Sequence, residues 1–377
     1  MNMHRVEPQP AISLIRTTPP TPSWIKDELR HALASMADAS DLETVLRYHR
    51  FRGTDEDRER GAQWLSNRLL EPPTPERIVV TNGTQNALFL ALSTIFGDGG
   101  VLATEDLSYY GFRRLAAMLS IPVAPITMDA DGAIPDAFED ACRKEKVKAL
   151  FLTPTIHNPT TGIMPEQRRR DLATIARKYG VSIIEDDVYG LLPPQAPPPF
   201  ASIAPDITWY ATGLAKCVSP GLRTGYLVPP DDDAHQRLSN RFQVTTTWQV
   251  APLSAMLSNR WIENGVAKRI LTAVRQEAQA RQNLAAELLA NASFRTNESG
   301  LHIWLDLPGH LTESNFIDAA LQKGVTLRPG SMFSVVGERA PHCIRVVLGS
   351  PETRDELALA LGCLSEIIGV GAQASAH

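Results

Sequence analysis

Between Arg77 and Asp187 the chain alternates short apolar runs with longer amphipathic stretches, and this alternation limits the possible folds more than any other feature. ERIVVTNG precedes TQNALFLALSTIF, GGVLATE precedes YGFRRLAAML, and VKALFLTP precedes PEQRRRDLATIARKYG and VSIIEDD. Strands that are repeatedly followed by helices predict a mainly parallel sheet with helices on both faces. ITWYATGLA and RTGYLVPP follow without a full helix between them, which predicts two neighbouring strands of the same sheet.

The flanking regions predict an arm and a second, smaller domain. Residues 1–25 are rich in proline and lack periodicity, which favours an extended arm. Residues 245–291 contain little glycine or proline and predict an unusually long helix that bridges two domains. LHIWLDLP and IRVVLG as strands, with ESNFIDAALQKG as a helix, predict a small α+β domain. The predicted boundaries are 1–45 for the arm and part of the small domain, 46–260 for the large domain, and 261–377 for the interdomain helix and the small domain.

Composition excludes several classes of protein. The 377 residues are 43% hydrophobic and 21% charged with a net charge of -5, as in ordinary globular proteins. No basic block suits nucleic acid, and Arg168 to Arg170 are predicted to form a solvated helix face. The four cysteines lack CxxC spacing, so neither a disulfide framework nor a metal site is expected. No signal peptide or apolar run of about 18 residues is present, which predicts a soluble, cytoplasmic protein.

Polar residues follow each predicted strand, at the edge where open α/β sheets bind ligands. Gly83-Thr84-Gln85 opens a helix and offers backbone N–H groups to a phosphate, although a Gly-Thr turn is often only a helix cap. His157-Asn158 lies in a turn that the histidine is expected to shape. Glu185-Asp186-Asp187 places acidic groups where a cationic partner is required. Lys216 and Arg223 follow the next strand, although a single lysine there is usually a surface residue.

These clusters, in this order, resemble the fold type I pyridoxal-phosphate enzymes, the class I and II aminotransferases. AKCVSPGLRTGYL is similar to the lysine motif of the 2-aminoadipate and kynurenine aminotransferases and of the aminotransferase-like domain of MocR regulators. The resemblance implies an aspartate aminotransferase-like α/β fold. It has a large domain with a mixed, mainly parallel seven-stranded sheet and a smaller α+β domain. It also implies pyridoxal 5′-phosphate as the cofactor.

The resemblance assigns roles around the cofactor ring. Lys216 is expected to bind the cofactor as a Schiff base and to move a proton from the substrate's α carbon. Asp186 is expected to keep the pyridine nitrogen protonated. Tyr189 and Asn158 are expected to hydrogen-bond the 3′ oxygen. Tyr109 is expected to stack on the ring, with Tyr110 as the alternative.

The resemblance also assigns the phosphate and substrate contacts. The expected phosphate and cofactor-binding residues are Gly83, Thr84, Gln85, Thr212 and Arg223. Tyr48 matches a tyrosine that reaches the phosphate of a neighbouring subunit, which implies a homodimer with shared active sites. Arg345, together with Asn158, is expected to bind the substrate's α-carboxylate, the arginine in a bidentate geometry.

Some positions depart from the family pattern. Gly213 and Ala215 stand where relatives commonly carry hydroxyl residues, and Thr212 is shifted by one place, which puts one phosphate contact in doubt. Thr17 replaces a glycine near the substrate side chain, and Arg328 replaces a small or apolar residue. We hypothesise that Arg16 or Arg328 binds a second substrate carboxylate, with a surface role for both as the alternative.

The predicted function is transamination between an L-amino acid and a 2-oxo acid in a ping-pong cycle. Lyases, decarboxylases and cyclising enzymes share the same cofactor residues and remain alternatives. A second alternative is a non-catalytic sensor of the MocR type, in which a winged helix-turn-helix of small-domain size precedes the aminotransferase-like part. Only an arm and about 45 residues precede Tyr48, so we expect that DNA-binding domain to be absent.

Overall fold

The protein is described by a computed structural model that covers residues 11–40, 42–47, 51–243, 249–335 and 342–374. The helices are α1 (Ile25–Ala37), α2 (Leu42–Arg47), α3 (Asp55–Leu65), α4 (Thr84–Ile95), α5 (Tyr110–Met118), α6 (Pro135–Lys144), α7 (Glu166–Tyr179), α8 (Phe200–Ile203), α9 (Asp232–Phe242), α10 (Pro252–Glu263), α11 (Val266–Leu288), α12 (Glu313–Gln322) and α13 (Arg354–Ala374). The strands are β1 (Ile12–Ser13), β2 (Val79–Thr81), β3 (Val101–Glu105), β4 (Val123–Ile126), β5 (Met128–Asp129), β6 (Gly132–Ala133), β7 (Val147–Leu152), β8 (Ser182–Asp186), β9 (Thr208–Gly213), β10 (Gly225–Val228), β11 (Phe294–Arg295), β12 (His302–Asp306), β13 (Val325–Thr326), β14 (Arg328–Pro329) and β15 (Cys343–Val347).

The large domain is built on a seven-stranded sheet in the order β2-β10-β9-β8-β7-β3-β4. The pairs from β9 to β4 are parallel, and β10 is antiparallel to both of its neighbours. The central strands β8 and β9 are almost fully buried, as expected for a sheet covered on both faces. The predicted mixed, mainly parallel sheet is therefore confirmed, and so is the prediction that ITWYATGLA and RTGYLVPP are adjacent strands.

The small domain carries a four-stranded sheet in the order β11-β12-β15-β14. The N-terminal arm joins this domain because β1 pairs in parallel with β13, and Leu14 lies in the small-domain core. The backbone N–H of Val347 donates to the carbonyl oxygen of Leu14 at 3.1 Å. The arm thus runs from the small domain towards the carboxyl ends of the large sheet.

The long helical region links the two domains, but it is not one helix. Gly265 adopts a left-handed conformation with φ 78° and separates α10 from α11. Val274 of α11 packs in a large-domain core, whereas Ala285, further along the same helix, packs in the small-domain core. The predicted boundary at 260/261 falls inside α10. In the part of the chain that the structure describes, no helix has the length and apolar character needed to cross a membrane.

One prediction about the surface is wrong. Arg168, Arg169 and Arg170 were expected to share a solvated helix face, but the side chain of Arg169 is 0% exposed while that of Arg170 is 53% exposed. Consecutive residues on a helix point about 100° apart, so a run of three cannot occupy one narrow face. Arg169 turns inward and forms an ion pair with Glu185 at 3.5 Å.

Candidate active site

A cavity of about 520 Å³ lies at the carboxyl ends of the large sheet, between the two domains. Loops after the parallel strands open onto this edge, so side chains distant in sequence meet there. Nine of the predicted site residues line the cavity: Thr84, Gln85, Tyr109, Asn158, Asp186, Tyr189, Lys216, Arg223 and Arg345. Gly83 directly precedes the adjoining helix, and Tyr48 lies outside the described residues.

Lys216 lies in the turn after β9 and extends into the cavity. Its amino group donates a hydrogen bond to the backbone carbonyl of Thr17 in the N-terminal arm. Burial, reinforced by the charges of Arg345 and Arg223, lowers the pKa of Lys216 to about 8. An amine with this pKa is uncharged in about a tenth of the molecules at pH 7, far more than an ordinary lysine, and a nucleophile or general base must be uncharged.

Asp186 ends β8 and is buried on the floor of the cavity. Burial, with a smaller contribution from the charge of Asp187, raises the pKa of Asp186 to about 7. Its Oδ1 atom has no hydrogen-bond partner among the described residues. A buried carboxylate oxygen without a partner is costly, so this side chain suits a cationic ligand group.

A second group of residues suits an anion at the start of α4. Gly83 has φ 76° and directly precedes α4, and the first N–H groups of a helix lack partners in the preceding turn. A Cβ atom at Gly83 would lie 3.1 Å from Nη2 of Arg223, so glycine allows the guanidinium to approach. Arg223 donates to the carbonyl oxygen of Asn82 at 3.1 Å. The buried hydroxyl of Thr84 has no partner in the described segments, which leaves it available to a phosphate.

The structure does not bring Thr212 to this group. Its hydroxyl donates to the backbone carbonyl of Asp187 at 3.1 Å, and Thr212 is not among the residues that line the cavity. Gly213, the neighbouring departure from the family pattern, lies close to α4. A Cβ there would be 2.9 Å from the carbonyl oxygen of Thr224 and 3.0 Å from the hydroxyl of Thr84. The close packing of β9 and β10 against α4 therefore explains glycine at this position.

Arg345 crosses from the small domain into the cavity and is buried. It donates to Oδ1 of Asn158 at 2.8 Å and to the carbonyl oxygen of Ile15 at 2.7 Å. Its guanidinium stacks on Phe333 at 4.7 Å, and its Nε has no partner in the described chain. Because no carboxylate neutralises it there, Arg345 is suited to an incoming carboxylate.

The aromatic residues lie around the same space. Tyr109 accepts a hydrogen bond from Nε2 of Gln85 at 2.8 Å, and burial raises the pKa of its hydroxyl. Burial also raises the pKa of Tyr189 to about 12, so its hydroxyl stays protonated as a donor. Tyr110 lines the cavity beside Tyr109, with ring centroids 5.2 Å apart.

Other residues of the cavity wall were not predicted from the sequence, among them Thr153 and Val188. Thr153 directly follows β7 and has a buried hydroxyl without a partner in the described structure, and Val188 lies two residues after Asp186. Both lie beyond apolar runs, so the rule that located the other residues also indicated them. His157 lies outside this cavity. Its Nδ1 is 2.7 Å from the hydroxyl of Thr160, within the turn that it was expected to shape.

Comparison with known proteins identifies the family. The sequence model of the family "Aminotransferase class I and II" matches residues 16–361. The chain belongs to this family. Members of the aminotransferase family use pyridoxal 5′-phosphate, the predicted cofactor. In the described residues, no group of three or more His, Cys, Asp or Glu side chains is placed to hold a metal ion.

Similar proteins include regulators as well as enzymes. The "Uncharacterized HTH-type transcriptional regulator YdeF" of Bacillus subtilis (strain 168) is 31% identical over 78% of this chain and 63% of its own length. The chain thus spans less than two thirds of that relative. A 2-aminoadipate transaminase of Thermus thermophilus is 26% identical over 78% of this chain and 75% of its own length.

A solved structure confirms the aminotransferase fold. It is LysN, an α-aminoadipate aminotransferase from Thermus thermophilus complexed with N-(5′-phosphopyridoxyl)-L-leucine. The TM-score is 0.86 at 23% identity, over 97% of this chain and 93% of that one. At this level of identity the similarity concerns the fold alone.

The residues of the cavity fit pyridoxal phosphate. Asp186 offers a buried carboxylate oxygen without a partner to a protonated ring nitrogen, and Lys216 offers an amine to the aldehyde. The start of α4, with Thr84 and Arg223, offers donors to the phosphate. These residues therefore suit the protonated ring nitrogen, the aldehyde and the phosphate of one pyridoxal phosphate molecule.

Proposed function

We propose that this chain is a pyridoxal-phosphate-dependent aminotransferase that moves an amino group between an L-amino acid and a 2-oxo acid in a ping-pong cycle. The observation that carries the proposal is that Lys216, Asp186 and Arg345 face one cavity. They provide an amine with a lowered pKa, a carboxylate without a partner and a buried cation, and so suit the cofactor and an amino acid together.

Each side chain has a defined task in this proposal. When bound, pyridoxal phosphate supplies an electron-withdrawing ring that stabilises negative charge on the substrate's α carbon. Arg345 binds the α-carboxylate, and Asn158, which already accepts from Arg345, orients that arginine. Lys216 holds the cofactor, then accepts the α proton and returns it. Asp186 holds the proton of the ring nitrogen, and Tyr189 donates to the ring oxygen.

The experiment is a two-step exchange on the purified, cofactor-loaded protein. L-glutamate and a panel of other amino acids are added singly, and the bound cofactor is extracted and identified. The expected result is conversion to pyridoxamine phosphate and reversal by a 2-oxo acid. Lys216→Ala should lower the exchange rate by about 10²-fold to 10⁴-fold. Lys178→Ala, a change at a lysine whose side chain is 61% exposed, is the control. Release of pyruvate, carbon dioxide or ammonia without pyridoxamine phosphate would instead indicate lyase or decarboxylase chemistry.

A regulator similar at 31% identity favours a second candidate, a cofactor-dependent amino acid sensor. The same experiment separates the two functions. A sensor binds the amino acid, with a spectral change at most, and yields no product beyond one equivalent per site. An aminotransferase yields many equivalents of a new amino acid when a 2-oxo acid is present.

The cavity also suggests an acidic substrate. Arg16 lines it, and Arg328 lies with its guanidinium 4.6 Å from the ring centroid of Tyr110. Arg328 is also directly opposite Arg345 in the β14 and β15 pair, where like charges repel. A second substrate carboxylate would relieve this repulsion. Arg16→Ala or Arg328→Ala should then raise the Michaelis constant for glutamate more than that for a monocarboxylic amino acid. Equal factors for both substrates would contradict this role.

The proposed assembly is a homodimer, and the proposed setting is cytoplasmic. All four cysteines are free of disulfide bonds in the structure, which supports the cytoplasmic setting. An apolar groove of about 600 Å³ is lined by residues of α1 and α10, including Leu29 and Leu33, and by Gly221. It lies near the active site, because Gly221 of the groove is next in sequence to Pro220, which lines the catalytic cavity. Leu33→Asp should convert dimers to monomers in sedimentation experiments, whereas the same change at exposed Leu359 should not. A monomeric wild-type protein would refute the assembly.

A further inference from the structure

Behind the catalytic cavity, the end of β8 carries a second set of charges. Side chains alternate along a strand, so Glu185 and Asp187 point away from the face that presents Asp186. Oδ2 of Asp187 accepts hydrogen bonds from Nε of Arg68 at 2.8 Å and from the hydroxyl of Tyr210 at 2.9 Å. The side chains of Arg68 and Asp187 are 8% and 0% exposed. Asp187 is therefore held by two donors in the protein interior.

Arg68 is fixed in turn by its remaining nitrogens. Nη1 donates to the carbonyl oxygen of Pro197 at 2.9 Å, and Nη2 donates to the hydroxyl of Thr155 at 3.2 Å. The same hydroxyl accepts from Nη2 of Arg169 at 3.1 Å, and Arg169 pairs with Glu185. We call Arg68, Arg169, Glu185, Asp187 and Tyr210 the rear cluster. Its two arginines balance its two carboxylates.

The side chain of Asp187 packs closely against Gly190. A Cβ atom at Gly190 would lie 2.2 Å from Oδ2 of Asp187, so the carboxylate occupies space that only glycine provides. The backbone carbonyl of Asp187 accepts from Gly190 at 3.0 Å and from Thr212 at 3.1 Å. Thr212 was expected to contact the cofactor, but its hydroxyl instead holds the backbone of Asp187 in place.

We propose that Arg68, assisted by Tyr210, is a positioning residue that neutralises Asp187 and thereby keeps the adjacent Asp186 ionised for the cofactor's ring nitrogen. The inference rests on the proposed cofactor site. It extends that site to the far side of β8, because Arg68 lies behind the strand and is not part of the cavity wall. Asp187 transmits the effect through its charge and through the backbone that it shares with Asp186.

The charges that face Asp186 set the direction of the effect. Lys216 faces Asp186 from the cavity and stabilises its ionised form, while Tyr109 and Tyr189 lie nearby with protonated hydroxyls. From behind, Asp187 disfavours ionisation of Asp186. Arg68, Arg169, Glu185 and Tyr210 surround Asp187, and Arg223 and Arg345 act on Lys216. Removing the cation of Arg68 leaves the Asp187 charge uncompensated, so Asp186 should take up a proton at a higher pH.

The test measures cofactor binding against pH and does not depend on turnover. Pyridoxamine 5′-phosphate is the probe because it forms no covalent bond with Lys216, and equilibrium dialysis gives its affinity between about pH 5 and pH 9. In Arg68→Met, the pH at which affinity is lost on acidification should rise by about one pH unit relative to the wild type. Arg68→Lys, which keeps the charge but not the fork of donors, should lie between the two.

A double variant distinguishes charge compensation from a merely structural role. Arg68→Met combined with Asp187→Asn removes both charges, so the midpoint should return to the wild-type value. Asp187→Asn alone should move the midpoint downward, because it leaves the cation of Arg68 uncompensated beside Asp186. Arg170→Met, at an exposed arginine, should change nothing.

The proposal is overturned if Arg68→Met weakens binding equally at every pH, or if the double variant keeps the shifted midpoint. Urea unfolding of each apoprotein shows whether the variants fold. If Arg68→Met does not fold, Arg68→Lys and Asp187→Asn decide the question by shifting the midpoint in opposite directions, and equal midpoints refute it. Failure of the proposed function is separate, because a wild type that binds the probe but transaminates nothing still gives the pH comparison.

Discussion

Asp186 and Asp187 are neighbours in sequence and both are buried, yet the protein surrounds them differently. Oδ1 of both carboxylates lacks a hydrogen-bond partner among the described residues. Oδ2 of Asp187 accepts from the side chains of Arg68 and Tyr210, whereas the hydrogen bond that favours the charge of Asp186 comes from the backbone of Val188. Burial raises the pKa of Asp186 to about 7. A buried carboxylate held in an ion pair belongs to the fold, and a buried carboxylate that faces a cavity without an ion pair is suited to a ligand. The contrast between these two adjacent residues thus distinguishes a structural carboxylate from a candidate functional one.

The largest expected effect is on the paired carboxylate. Asp187→Asn leaves Arg68 buried without its counter-ion, and removing one partner of a buried pair costs about 3–5 kcal/mol. The free energy of unfolding of the apoprotein, measured in urea at pH 7, should fall by that amount. A loss below about 1 kcal/mol would mean that the pair is not important for stability.

The same substitution one residue earlier should have the opposite sign. Asp186→Asn removes a charge whose burial outweighs its attraction to Lys216 and its hydrogen bond from the backbone of Val188, so the apoprotein should gain about 1–3 kcal/mol. The same variant should bind pyridoxal phosphate more weakly, because a neutral amide cannot hold the ring proton. An apoprotein destabilised by Asp186→Asn would show that the contacts with Val188 and Lys216 outweigh the cost of burying the charge.

The pH dependence of the apoprotein sharpens this contrast. The pKa of Asp186 is raised from 3.8 to about 7, so the native state binds this proton more tightly than the unfolded state. The resulting stability is fully present below pH 3.8 and is lost as the pH rises through about 7. The advantage of Asp186→Asn over the wild type should therefore grow between about pH 4 and pH 7 and then stay constant. Urea titrations at several pH values across this range would test this, and an advantage independent of pH would contradict it.

The sequence predicted the sheet and nine of the nineteen residues that line the cavity, for a common physical reason. Apolar runs followed by amphipathic stretches indicate parallel strands, and parallel strands bring their carboxyl ends to one edge. Residues such as Asp186 and Lys216 were therefore recognisable from their position directly after a buried run. The order of these clusters along the chain then indicated the cofactor, which the family confirms.

What the sequence did not predict depends on which way a side chain turns. Arg169 was indistinguishable from its two neighbours until its helix was placed on the sheet, where it pairs with Glu185. Thr212 stands beside the predicted phosphate site, but its hydroxyl points to the carbonyl of Asp187. The break at Gly265 in the long helix was likewise missed, because a single glycine is tolerated in many helices.

The smallest expected effect is on an exposed ion pair, which serves as the comparison for the buried pairs. Arg170 pairs with Glu166 four residues earlier on α7, and their side chains are 53% and 44% exposed. Exposed pairs at this spacing contribute about 0.3–0.5 kcal/mol because water screens the charges. Arg170→Met should therefore lower the free energy of unfolding by no more than about 0.5 kcal/mol, whereas Arg169→Met, one residue earlier, should cost several times as much because it strands Glu185 in the interior. Equal effects of the two substitutions, measured in the same urea titrations, would mean that burial does not determine the worth of an ion pair in this protein.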